Sequence, residues 1–171
     1  MSTRAPFQVL VLPYHQEQSG LRYAVFRRKA RSGGYWQFIA GGGDGRETPV
    51  RAARREAFEE AGISSRSKLI RLDASAMIPV EHVHGFHWGR DVFVIPEFCF
   101  GMEMVDTEIR LSNEHAEFRW LPYRSALRQL RWDSNRTALW ELDLRLRHKL
   151  DPATAEDPSL RSRRRHNTPQ P

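Results

Sequence analysis

Along the first two thirds of the chain, apolar residues come in short runs of strand length, and near the end they recur at helical spacing. The segment "PFQVLVLPY" (6–14), apolar except at Gln8, predicts a buried strand. "HQEQSG" predicts the turn after it, and "LRYAVFRRK" a second strand. "YWQFIA" predicts a short third strand running into glycines. "LIRLDASAMIPV" and "RDVFVIPEFCF" predict two more, separated by a polar loop that carries His82, His84 and His87. "AEFRWLPY" reads as a further strand leading into a helix over "RSALRQL". From Ser134 to about Leu150, Leu139, Leu142, Leu146 and Leu150 recur at nearly 3.6 residues, which predicts a last helix capped by Asp133 or Ser134. The pattern predicts one mixed α/β domain over 1–150. Residues 151–171 carry four prolines, no aromatic residue and one leucine, and predict a disordered basic tail.

Composition narrows the picture only a little. The chain has 171 residues, enough for one domain with a real core, and a net charge of +6. Only three of its 27 basic residues are lysine, and guanidinium forks suit phosphate and carboxylate partners. No zinc finger or paired DNA-binding helices are visible, so a nucleic-acid partner is not expected. The single cysteine, Cys99, lies in "FCF" and reads as core, and one cysteine allows no internal disulfide. No segment is long and apolar enough to span a bilayer, and the N-terminal apolar run is too short for a secretory signal. A cytoplasmic location is the expectation. Monomer and homodimer both stay open.

Candidate chemistry concentrates in "GGGDGRETPVRAARREAFEEAGI", residues 41–63. Thr48 with Pro49 makes a helix start and Gly62 a left-handed stop, so the helix should run from Pro49 to Ala61. On it Glu56, Glu59 and Glu60 stand at i, i+3 and i+4, so all three can share one face, while Ala53, Ala57 and Ala61 leave a slim face for a sheet. Like charges on one face repel. Arg55, four residues before Glu59, offsets part of that, and a divalent cation would offset more, because carboxylate oxygens suit Mg²⁺ or Mn²⁺. The preceding glycines let a backbone carbonyl such as that of Gly41 turn inward.

The spacing resembles the Nudix box, G-x5-E-x7-R-E-U-x-E-E-x-G-U with U apolar. Gly41, Glu47, Arg55, Glu56, Ala57, Glu59, Glu60, Gly62 and Ile63 fill all nine places. Ala57 is smaller than the usual aliphatic residue there. The resemblance implies the Nudix fold, an α/β/α sandwich with a mixed sheet, and metal-dependent hydrolysis of a phosphoanhydride substrate. It implies Glu56 and Glu60 as principal ligands of Mg²⁺ (or Mn²⁺), with Glu59 assisting and Gly41 lending its carbonyl. Glu47 and Arg55 become a salt-bridged frame. Many members take another glutamate from a later loop as base or ligand, and Glu114 in "SNEHAEFRWLP" fits that place, with Glu117 as rival.

Over about residues 5–147 the chain is also similar to a bacterial branch that cleaves dATP or dihydroneopterin triphosphate. "FRRK", "YWQFIAGG" and "WDSNRTALWEL" carry this likeness, whereas 79–110 do not match well. On that basis Arg27 or Arg28 is a phosphate ligand or part of a solvated edge pair. Tyr35, Trp36 and Phe38 are candidates to stack on a flat ring, with at least one expected in the core. Asn135 and Arg136 either bind substrate or cap the last helix. The three histidines have spacings that could hold zinc, though a polar loop beside the substrate is the preferred reading. The expected activity is cleavage of a nucleoside or pterin triphosphate to monophosphate and pyrophosphate. Alternatives are an oxidised nucleotide, a dinucleoside polyphosphate or ADP-ribose as substrate, or a non-catalytic nucleotide-binding module.

Overall fold

The computed structural model describes residues 4–83 and 87–150. The expected basic tail, the domain boundary at 150/151 and His84 lie outside the described residues. Seven strands form one mixed sheet: β1 (Arg4–Glu17), β2 (Gly20–Arg28), β3 (Trp36–Gln37), β4 (Ile39–Asp44), β5 (Leu69–Pro79), β6 (Val94–Glu103) and β7 (His115–Leu121). The spatial order is β3-β2-β1-β6-β5, with β4 also on β1 and β7 also on β2. Among the described strand pairs, β1–β6 is parallel and the others are antiparallel.

Helix α1 (Pro49–Ala61) covers one face, and α2 (Tyr123–Gln129) and α3 (Asp133–Leu150) cover the other. Both faces being covered explains the apolar stretch 9–12 of β1. Val9 and Val11 point into a core that includes Ala52, Ala53, Ala57 and Ala61, and Leu10 and Leu12 into one with Leu139, Leu142 and Leu146. The three alanines predicted to form a slim face are fully buried, which brings α1 close to the sheet.

The limits of α1 are those its caps predict. The Thr48 side chain accepts from the Arg51 N–H, and Gly62 closes the helix at φ 69° with its N–H bonded to the Phe58 carbonyl. Other boundaries move. "HQEQSG" is not all turn: His15, Gln16 and Glu17 continue β1 and pair with Arg22, Leu21 and Gly20. "YWQFIA" is two strands, because Trp36–Gln37 pair with β2 whereas Ile39 onward pairs with β1. At the change of partner the Phe38 N–H has no ladder acceptor and donates instead to Asn135 Oδ1 (2.8 Å). "RDVF" precedes β6 rather than belonging to it.

Candidate active site

Arg55 is the hub of the helix end nearest the glycines. Its guanidinium donates to Glu47 Oε2 (3.0 Å), to Glu56 (2.8 Å), to Glu59 (3.0 Å) and to the Gly42 carbonyl (2.7 Å). Glu47 in turn accepts from the Asp44 N–H (3.1 Å), tying the loop to the helix. Burial works against the Glu47 carboxylate, but the hydrogen bonds from Arg55 and Asp44 prevail and hold it below the usual range. Glu56 differs: burial pushes its carboxyl up to about 7, and Arg55 offsets that only in part.

Glu60 is 5% exposed, and its Oε2 lies 2.7 Å from His115 Nε2 on β7. Burial raises the Glu60 carboxyl above its ordinary value, with the His115 hydrogen bond opposing. Glu114, next to His115, is exposed and ion-paired with Arg28. Each of these carboxylates therefore holds its own counterpart. Among the described residues no group of three or more His, Cys, Asp or Glu is already gathered as a metal cage.

Glu56, Glu60 and Glu114 open onto one cavity of about 610 Å³. Arg4, Arg28, Gly41, Gly42 and Arg55 line the same end. The other end is walled by Tyr35, Trp132, His82 and Val83, with Met77 and Ile78 from β5. Tyr35 meets Trp132 edge-on at 5.3 Å, and His82 lies over Trp132 at 5.8 Å, inclined by 35°. The floor between the ends carries Gln8 and Glu97.

Among the candidate site residues singled out from the sequence, Arg28, Tyr35, Gly41, Arg55, Glu56, Glu60, His82, Glu114 and Asn135 border the cavity. Glu47 and Glu59 stand behind, on Arg55. Arg27 points elsewhere, ion-paired with Glu117, so the two residues lie together outside the cavity lining. Phe38 is fully buried in the α2/α3 core and has no free face for a ring. Trp36 packs on the same core, under the Arg119 guanidinium at 4.7 Å. Arg136 pairs with Asp133 on its own helix (3.2 Å). Asn135 is buried, and its Oδ1 accepts the Phe38 N–H, so its observed bond is structural. His82 lies 3.8 Å from Glu81 and borders the cavity.

Arg4, Gln8, Glu97, His115 and Trp132 are among the site residues that escaped the sequence reading. A carboxylate inside the apolar run "VIPEFCF" was the one visible signal, since a buried Glu97 needs partners.

A mixed sheet between helices, with a glycine-led glutamate helix at the mouth of a cavity lined by carboxylates and guanidiniums, defines a class of protein. The chain belongs to the NUDIX domain family, which matches it over residues 7–140. A NUDIX hydrolase structure from Listeria monocytogenes is 38% identical and superposes with a TM-score of 0.76 over 85% of this chain and 97% of that one. The E. coli dihydroneopterin triphosphate pyrophosphohydrolase superposes at 0.68 over 85% of this chain and 99% of its own, but at 23% identity it shares the fold alone. A curated Myxococcus xanthus protein named octanoyltransferase is 32% identical over 112 residues, 64% of this chain. The match spans 29% of that relative's length. No helix among the described residues is long and apolar enough to cross a membrane.

Proposed function

We infer that this domain is a metal-dependent pyrophosphohydrolase that cuts a nucleoside or pterin triphosphate to the monophosphate and pyrophosphate. The observation that carries this reading is the cavity itself, with carboxylates and guanidiniums at one end and aromatic side chains at the other. The chain is a Nudix hydrolase acting on phosphoanhydride bonds.

The donor set fits a hard divalent cation such as Mg²⁺ or Mn²⁺: carboxylate oxygens from Glu56, Glu60 and Glu114, and the carbonyl of Gly41. A side chain at 41 would stand in the way, since a Cβ there would lie 2.0 Å from Glu56 Cδ. The raised Glu56 and Glu60 carboxyls are under-compensated as they stand, which a cation would relieve. When bound, the cation would neutralise phosphate oxygens and activate a water.

The chain's own residues do the rest. Arg55 and Glu47 hold the loop and helix in register, and His115 holds the Glu60 carboxyl in one orientation. Arg28 and Arg4, each with a buried Nε that lacks a partner, face the cavity and suit a chain of phosphates. Glu114 is the carboxylate placed to accept a proton from the attacking water, because it borders the cavity and Glu117 does not. Tyr35 and Trp132 offer the flat surface that Trp36 and Phe38 do not.

Product analysis tests the reading. Incubation of dATP, dGTP and dihydroneopterin triphosphate with Mg²⁺ should release pyrophosphate and the monophosphate. Release of orthophosphate instead, or preference for ADP-ribose or diadenosine tetraphosphate by tenfold or more, would contradict it.

A further inference from the structure

Gly42, Gln8, Glu97 and Ala76 stand in one row across the sheet: Gly42 pairs with Gln8, Gln8 with Glu97, and Glu97 with Ala76. All four line the cavity. With neighbouring strands ~4.8 Å apart, Glu97 lies roughly 10 Å across the floor from Gly42. The residue is 2% exposed, yet among the described residues no salt bridge reaches it. Gln8 Nε2 donates to its Oε2 (3.1 Å), and Gln8 and the nearby Ser134 side chain oppose the effect of burial on the carboxyl only in part. The Oε1 oxygen is buried with no hydrogen-bond partner. Burial holds this carboxyl above its ordinary value, the state expected of an acceptor whose donors are missing.

A buried acceptor left unmatched costs stability, and a fold tolerates it where something else supplies the donor. The aromatic wall beside Glu97 selects flat rings, so the missing donors belong on the edge of one. We propose that Glu97, braced by Gln8, reads a 2-amino-4-oxopyrimidine edge, the edge common to guanine and to pterins. That edge presents a ring N–H and an amino N–H side by side, matching the two oxygens of one carboxylate. Adenine and cytosine set one donor beside a ring-nitrogen acceptor, which would face a carboxylate oxygen lone pair to lone pair. Uracil and thymine offer one donor between two carbonyls. Hypoxanthine keeps the ring N–H and lacks the amino group.

The assignment rests on the reading of the cavity as a triphosphate site, and the tests separate the two. In steady state, kcat/KM for dGTP should exceed that for dITP and dATP by at least tenfold, or about 1.4 kcal/mol. Dihydroneopterin triphosphate should likewise exceed dITP, and its rank against dGTP tells which ring is the source. Glu97→Gln, with one acceptor and one amide donor, should bring the dGTP/dITP ratio to within about threefold of unity. Glu97→Asp, which draws the carboxyl back, serves equally if the glutamine variant does not fold. Equal wild-type rates on dGTP and dITP, or a ratio kept in either variant, would overturn the assignment. Calorimetry of dGMP and dIMP with the metal-free protein reads the same edge without catalysis. Tenfold tighter dGMP binding with no triphosphate cleaved would retain Glu97's role and discard the hydrolase reading. Cleavage without discrimination would do the reverse.

Discussion

The two ends of the cavity are built in opposite ways. The carboxylate end comes largely from one contiguous segment, 41–63, with Arg4, Arg28, Glu114 and His115 added from β1, β2 and the start of β7. The ring end is gathered from Tyr35, Met77, His82 and Trp132, with Gln8 and Glu97 on the floor beside it, residues far apart in sequence that the fold brings together. At the first end geometry follows from helical spacing and two caps. At the second it follows from strand register, which only long-range pairing supplies. A change at the first end should therefore stop chemistry, and a change at the second should alter which substrate is taken.

After Glu60, the largest effect is expected at Gly41. In Gly41→Ala the new Cβ would stand 2.0 Å from Glu56 Cδ, so the carboxyl must move. Misplacing a ligand by about 1 Å can cost roughly a hundredfold in rate, and we expect at least that loss in kcat. Wild-type turnover in Gly41→Ala would show that the carboxylate end is not built as described.

Glu114→Gln should lower kcat by about ten- to a hundredfold, and Glu117→Gln by less than about twofold. The reverse order would move the base from the cavity lip to the outer side of β7. Melting temperature should stay near wild type in both, since each carboxylate is exposed or half-exposed and its ion pair is worth little.

Away from the cavity, Tyr23 donates to Asp143 Oδ1 (2.8 Å) in the α2/α3 core. Tyr23→Phe leaves that carboxylate short of a donor and should cost about 1–3 kcal/mol of stability by denaturant titration. Activity of the folded fraction should be unchanged, and altered substrate preference would mean the core and the ring end are coupled.

The smallest effect is a pH dependence at Glu97. Its folded value lies above the ordinary 4.5, so the folded chain holds this proton more tightly than the unfolded chain. Below the ordinary value both states are protonated and the group is neutral to stability. As pH rises from there through the folded value, the buried charge increasingly disfavours folding. The melting temperature of Glu97→Gln relative to wild type should therefore climb with pH above about 4.5, by a few degrees at most. A difference that is flat with pH would mean that Glu97 is not burdened by burial.

Much of the fold was legible in sequence for a physical reason. Apolar runs report burial directly, and Thr48, Pro49 and Gly62 mark helix ends by local backbone chemistry that needs no tertiary partner. What failed was side-chain direction. In "YWQF" the alternation is intact, with Trp36 and Phe38 on the core face and Tyr35 and Gln37 at the cavity, but which face meets the core is set by pairing with distant strands. Arg27 and Arg28 point to opposite sides of β2, so only one can face the substrate, and Arg4 enters from β1 instead. Glu97 could be noticed as an oddity, but its meaning depended on Gln8, 89 residues away.

The central claim is that the α1 carboxylates perform metal-assisted cleavage, and Glu60→Gln tests it most directly. The amide keeps the size of the side chain and can still hydrogen-bond His115 Nε2, so the fold should persist. One ligand charge is lost. Pyrophosphate release from dGTP and dihydroneopterin triphosphate, followed with Mg²⁺ or Mn²⁺ present, should fall by at least about a hundredfold in the folded variant, a loss of ~2.7 kcal/mol in transition-state stabilisation. Wild-type turnover in that variant, or in wild type under excess chelator, would contradict the account.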